Sequence, residues 1–274
     1  LNHLILTSET YRCSSRHPDL KSVDNKDPKG IFYARFLPRR LVAEEIRDAM
    51  LQVSGELNPA VGGIPSRPDI NPEVAFQPRQ IMGGTASVYE PDPLPEQRNR
   101  RTLYAEKLRG LRDPFLEAFN QPGSDASCEL RESSTVAPQA LTLLNAEEVH
   151  DRALAFASRL VKERKSESAV IQRAFELSLG RSPSREEVMA CVTRWKSATK
   201  SEIEKKMSKP FYPRKIKRTV MAEKTGEPYD FWELLPAFDS YQGDLQRSDA
   251  DARTRGLAHV CLVLFNSNEF LYLD

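Results

Sequence analysis

Between Asp125 and Asn145 the chain reads DASCELRESSTVAPQALTLLN. It gathers a thiol, a guanidinium, several hydroxyls and an amide ahead of an apolar run. Cys128 is a thiol nucleophile if the fold brings a histidine to it; otherwise it is the small buried cysteine that free thiols usually are. Arg131 has the fork geometry to grip a carboxylate or sulfate with two parallel hydrogen bonds, or to tie its loop to an internal glutamate. Ser133, Ser134 and Thr135 precede a helical pattern, where capping is the default role of a hydroxyl. Gln139 and Asn145 bracket the apolar helix and need hydrogen-bond partners if buried.

A second polar group lies upstream. Glu44, Arg47 and Asp48 stand at i, i+3 and i+4, so a helix carries them on one face. Paired carboxylates do acid–base chemistry when their environments push their pKa values apart. With Arg47 between them, an ion-paired network is the plainer reading. Arg39 and Arg40, just before this helix, oppose its dipole and call for an acidic partner. The third group is the arm KKMSKPFYPRKIKR, within a basic stretch at 205–230 that interleaves Lys and Arg with Phe211 and Tyr212. Such interleaving suits nucleic acid. The arm is short, however, and 40 basic residues meet 39 acidic ones, for a net charge of +1. A solvated loop is therefore expected, with no nucleic-acid partner.

Apolar spacing shows what must position these groups. Val42, Ile46, Ala49, Met50 and Val53 repeat at helical intervals across Arg39 to Ser54, with Gly55 placed to end the helix. Residues 1–13 read as the tail of a helix with Leu1, Leu4, Ile5 and Tyr11 on one face. Residues 56–96 are rich in proline and carry the pairs Gly62-Gly63 and Gly83-Gly84, which exclude long helices and leave an irregular insertion with short strands. Asp113-Pro114 opens a short helix. Pro138 to Leu144 forms another, and Asn145 suits the N-cap of a longer one whose stripe is Val149, Ala153, Phe156, Ala157 and Leu160. Ser168 to Leu179 ends at Gly180. Ser184 to Glu187 is a capping box opening a helix towards Met207. Asp251 to Asn266 carries the last stripe, Leu257, Val260, Cys261, Leu264 and Phe265. The fold class expected is mainly α: a single irregular helical domain over 1–274, with a proline-rich loop insertion and a few short strands.

The totals bound the rest. At 274 residues, with 39% hydrophobic and 29% charged residues and a mean hydropathy of −0.54, the composition is that of a soluble globular domain. No apolar run approaches the ~20 residues of a membrane span. The N-terminus starts mid-pattern without Met, and we read it as a cut end. Cys13, Cys128, Cys191 and Cys261 are far apart, with no CxxC or CxxCH, and the histidines form no HExxH. Neither a metal site nor a haem attachment is expected in this chain.

In their shared order, the segments LNHLILTSETYRCSS, RRLVAEEIRDAMLQVSG, the Gly62-Gly63 turn, DPFLEAFNQPG, SCELRESSTVAPQALTLLN, KTGEPYDF and DADARTRGLAHVCLVLFNSNEFLYLD resemble the planctomycete-specific domain family of the first type. That is a domain of unknown function at the C-terminal end of planctomycete cytochrome-c-like proteins. The resemblance spans nearly the whole chain, and IFYARFL at 31–37 departs from the family's Leu-Trp-rich version. It implies an exported protein of the periplasm or cell surface, with any haem c in an upstream cytochrome-c-like module that is also the natural partner. The family brings no agreed catalytic residues. The resulting expectation is an accessory domain that docks a partner or binds a polysaccharide in a polar cleft lined by Arg47, Asp48, Arg131, Ser134, Gln139 and Asn145. The alternative is an enzyme acting on extracellular polysaccharide, oxidative through the upstream haem, with Glu44, Asp48 or Glu117 as acid or base.

Overall fold

In the computed structural model every residue is described except Met82, Gly83, Asp125, Ala126, Glu132, Ser133 and Asp274, and only the backbone of Gln80 and Ile81 is described. Gly83 and Ser133, singled out above, thus lie outside the described residues. The elements run α1 (Asn2–Leu6), α2 (Leu20–Lys26), β1 (Arg39–Arg40), α3 (Ala43–Ser54), α4 (Pro72–Ala75), β2 (Arg79–Ile81), β3 (Gly84–Ala86), α5 (Pro95–Arg98), α6 (Pro114–Ala118) and α7 (Ala137–Asn145). They continue with α8 (Glu147–Glu163), α9 (Glu167–Leu179), α10 (Arg185–Ile203), β4 (Lys215–Met221), β5 (Pro228–Leu234), α11 (Ala252–Phe265), α12 (Asn268–Leu271) and β6 (Tyr272–Leu273). The protein is mainly α, and among the described residues its strands pair in antiparallel twos: β1 with β6, β2 with β3, β4 with β5.

The chain divides into two units, Leu1–Leu41 with Ser267–Asp274, and Val42–Asn266. In the smaller unit Arg40 pairs with Tyr272, and the Leu41 amide donates to the Leu271 carbonyl at 2.8 Å. The Asp27 carboxylate accepts from the amides of Ile31 and Phe32 at 2.9 and 2.7 Å, closing a turn. The helix expected over residues 1–13 shrinks to α1. Leu1, Leu4, Ile5 and Tyr11 are exposed, so no burial extends it beyond the first turns.

In the larger unit the apolar stripes do what their spacing requires. Ile46 and Met50 of α3, Val149, Ala153, Phe156, Ala157 and Leu160 of α8, and Leu257, Val260, Cys261, Leu264 and Phe265 of α11 are all buried. Phe156 stacks on Phe265 with ring centroids 5.8 Å apart, joining α8 to α11. The buried Trp195 of α10 donates its indole N–H to the Arg253 carbonyl at 2.8 Å. Gly55 ends α3 at φ +84°, and Ser184 and Glu187 form the expected capping box. Helix α3 starts at Ala43 rather than Arg39, with the Glu45 carboxylate accepting from the Val42 amide at 3.0 Å.

Two local expectations are corrected. Asn145 does not cap α8: it is the last residue of α7, and Ala146 alone (φ −65°, ψ 130°) separates the two helices. The basic stretch is not a solvated loop throughout. From Lys215 it forms β4, paired with β5 in a hairpin whose turn closes between Ala222 and Glu227. Ile216, Arg218 and Val220 point inward, Lys215, Lys217 and Thr219 outward, the period-two pattern of a half-buried strand. The buried Arg218 pairs with Glu233 across the hairpin and donates to the Ala86 carbonyl at 2.9 Å; Glu233 accepts from the Val88 amide at 3.0 Å. These bonds fasten the hairpin to the segment beside β3.

The proline-rich stretch 56–96 is irregular, as expected, but its backbone polar groups find partners along 99–106. The Asn58 amide donates to Asn99, Ser66 to Tyr104 and Glu106 to Ser66, each at 2.8 Å. No described helix is long and apolar enough to cross a membrane.

Candidate functional site

Within the larger unit lies a cleft of about 420 Å³. That is the size of small-molecule sites. Its polar side comes from α3, α8 and the N-terminus of α6. Glu147, Glu148, Asp151 and Arg152 lie in the first turns of α8, with Glu148, Asp151 and Arg152 at i, i+3 and i+4 on one face. Arg47, buried in α3, pairs its Nε with Glu148 at 3.0 Å and donates to the carbonyls of Arg98 and Arg100 at 3.2 Å. Arg47 thus fixes both the Glu148 carboxylate and the 98–100 backbone behind it. Asp113 caps α6 by accepting from the amides of Phe115 and Leu116 at 2.9 and 3.4 Å.

The opposite chemistry comes from the segment before the hairpin. Pro210-Phe-Tyr-Pro213 lines the cleft, its prolines holding the chain extended. Tyr212 stacks on Phe238 with centroids 5.9 Å apart and planes 10° from parallel, and tilts against Tyr241 at 4.5 Å. Phe76, at the end of α4, meets Phe238 edge-on at 6.3 Å. The rings form a continuous aromatic wall. The Arg98 guanidinium lies 4.4 Å from the Tyr241 ring centroid, so this wall already holds one cation.

Arg98 and Arg152 brace the cleft from beneath. Arg98 pairs with Asp69 at 2.8 Å and Asp244 at 3.0 Å, and Arg152 pairs with Glu56 at 2.7 Å and with Asp244. Asp244 sits low despite its burial because both guanidinium groups face it. Glu148 and Asp113 both sit high: burial disfavours their charge, and although Arg47 opposes the shift, the two carboxylates repel each other. Asp151 is pushed up to about 7: burial raises it, the Arg152 charge opposes the rise, and the charges of Glu147, Asp244 and Glu56 add to it. Its carboxylate makes no hydrogen bond or ion pair among the described residues.

The six side chains expected to share a cleft are dispersed. Arg47 lines this one. Asp48 accepts from the amide and hydroxyl of Thr102 at 2.7 and 2.6 Å. Arg131 grips Glu44 with two hydrogen bonds of 2.7 Å, fastening its loop to α3. Burial would raise Glu44, but the bonds from Arg131 and Gln121 bring it down to about 2. Ser134 accepts from the Asn120 amide group at 2.7 Å, the buried Gln139 accepts from the Val136 amide at 3.3 Å, and Asn145 is exposed. Glu117 pairs with Arg112 at 2.5 Å. Cys128, read as a small buried cysteine unless paired with a histidine, is exposed.

Of the residues that shape the cleft, Tyr212 belongs to the stretch expected as a basic arm, and Glu148 lies in the first turn of α8. Asp151 carried one usable signal, its place three residues after Glu148 on the polar side of a strongly amphipathic helix. Among the described residues no group of three or more His, Cys, Asp or Glu side chains is placed to hold a metal ion.

One family model matches the chain, over residues 1–195, and is described as PSD1, protein of unknown function (DUF1553). No curated protein and no solved structure matches it.

Proposed function

The chain belongs to PSD1, a family of proteins of unknown function (DUF1553), and from that footing we propose that its cleft is a saccharide-binding site. The domain would serve as an accessory binding module of an exported protein. One observation carries the reading: an aromatic wall of Tyr212, Phe238, Tyr241 and Phe76 shares a cleft with the carboxylates of Asp113, Glu148 and Asp151. Ring faces pack against the C–H face of a sugar while carboxylates accept its hydroxyl protons. Export to the periplasm or cell surface, restriction to planctomycetes, and an upstream cytochrome-c-like partner carrying the haem follow from the family resemblance and belong to this proposal.

The experiment is a calorimetric titration with a panel of neutral and charged oligosaccharides, on wild type, Tyr212→Ala and Phe238→Ala. At least one oligosaccharide is expected to bind, with affinity falling about tenfold in each variant as the ring contact is lost. A folded protein that binds none of the panel would remove the reading.

A second reading, hydrolysis of a glycosidic bond, draws on Asp151. A carboxylate near neutral pKa without a fixed counterion suits a proton donor to the leaving oxygen, with Glu148 or Asp113 taking the proton of the attacking water. Release of reducing ends by wild type and not by Asp151→Asn would establish it. Binding without turnover would leave the domain an accessory module.

A further inference from the structure

We infer that the ligand of the cleft is a cationic saccharide, a sugar chain bearing ammonium groups, held between Asp151 and the rings of Tyr212, Phe238 and Tyr241. This rests on the saccharide reading and narrows it to one class of ligand.

The imbalance of charge is the first argument. Six carboxylates, those of Asp69, Asp113, Glu147, Glu148, Asp151 and Asp244, line the cleft; Arg98, beneath it, pairs with Asp69 and Asp244, and the guanidinium groups in the lining itself are those of Arg47 and Arg152. Both arginines are already committed. Arg47 holds Glu148 and two backbone carbonyls, and Arg152 holds Glu56 and Asp244. Both guanidinium groups are almost fully buried, the Arg152 Nε–H without a hydrogen-bond partner among the described residues, so an anionic sugar such as a sulfated polysaccharide finds little accessible guanidinium surface and meets carboxylates that repel it.

The aromatic wall is the second argument, and it is independent of the first. Ring faces attract cations as well as sugar C–H groups, and the Tyr241 ring already lies against the Arg98 guanidinium at 4.4 Å. A neutral sugar would use the wall and offer Asp151 only a hydroxyl proton. A sugar ammonium would use the wall and give Asp151 the direct ion pair that Arg152, acting only through its charge, does not make.

The groups that act on Asp151 are Glu147 and Arg152 from its own helix, Glu56 from the segment after α3, and Asp244 from the loop before α11; Tyr212 lies within reach of its charge on the aromatic side. Because Asp151 titrates at about 7, it is largely protonated below that pH and must ionise to pair with a cation. Binding of a permanently charged ligand therefore strengthens as pH rises through neutrality.

The test compares a deacetylated chito-oligosaccharide, its N-acetylated counterpart, and an N,N,N-trimethylated counterpart whose charge does not titrate. Each is titrated calorimetrically into wild type, Asp151→Asn and Glu147→Gln. The trimethylated form is expected to bind about tenfold more tightly than the acetylated one, and about tenfold more tightly at about pH 8 than at about pH 6. Asp151→Asn is expected to shrink that pH dependence to what Glu148 and Asp113 contribute, and to weaken the trimethylated form more than the acetylated one. Glu147→Gln is expected to keep the pH dependence but move its midpoint down, because one repelling charge is removed. Equal or tighter binding of the acetylated form overturns the cationic inference and leaves the saccharide reading standing. Failure of all three, together with the neutral panel, overturns both.

Discussion

Asp151 is held where ionisation is costly, and that makes its contribution to stability calculable in sign. Its folded pKa of about 7 lies above the ordinary value of 3.8. Below about pH 3.8 both folded and unfolded states are protonated and the residue is neutral in effect. Between about 3.8 and 7 the unfolded state loses its proton first, so stability falls as pH rises, and above 7 the loss is complete. Asp151→Asn is therefore expected to stabilise the free protein by about 2 kcal/mol at pH 8 and by almost nothing at pH 3.5, read from urea denaturation at both pH values. Glu44 behaves in the opposite sense. Its folded pKa of about 2 means that it stabilises above the ordinary value of 4.5, and that this is lost as pH falls from 4.5 towards 2. Arg131→Ala should lose most of the Glu44 contribution at neutral pH. At this scale the sequence was half legible. The fork of Arg131 suited a carboxylate, and Glu44 is the carboxylate it takes. Which residues lack a partner is a property of tertiary placement, and nothing in the spacing of Asp151 marks it as unpaired.

Helices and strands follow the same division. The stripes on α3, α8 and α11 are visible in the sequence because one face of each is buried, and burial imposes a 3.6-residue period. Asn145 was misplaced because asparagine favours N-caps in general, whereas the break here is a single residue, Ala146. The hairpin was missed because its basic residues suited a solvated loop. Alternation of Ile216, Arg218 and Val220 with Lys215, Lys217 and Thr219 was the better signal. A tight approach of α11 to α10 has no signature in the residue pattern. A Cβ at Gly256 of α11 would lie 2.7 and 2.8 Å from backbone atoms of Thr199 in α10, and backbone cannot swing aside. Gly256→Ala is expected to cost about 2 kcal/mol by forcing α10 and α11 apart. Gly226→Ala, at an open turn with φ +69°, should cost about 1 kcal/mol through backbone strain alone. Urea midpoints of the two variants separate packing from conformation.

Across the whole molecule, nearly all the buried apolar side chains fall within Val42–Asn266, while the smaller unit contributes chiefly Phe270 and Leu271. A chain trimmed to residues 42–266 is expected to unfold in one cooperative transition, followed by far-ultraviolet circular dichroism, and to keep the ligand affinity of the full chain; a non-cooperative melt would contradict this. The cleft itself is a whole-molecule property. It joins residues 69–76, 113, 147–152, 210–213 and 238–246, and no local pattern announces that these meet. The β4–β5 ribbon has a consequence of another kind. A two-stranded sheet has no interior strand, so any stretch of its outer edges left uncovered offers unpaired backbone groups to neighbouring molecules. Lys215, Lys217 and Asp230 sit outward on that ribbon, Lys217 and Asp230 joined at 2.6 Å, and Pro228 heads β5 without an amide to donate. Beside the exposed Trp232 and Leu234, these residues have the placement of gatekeepers, charges and a proline that oppose strand-to-strand pairing where an aromatic ribbon stands in solvent.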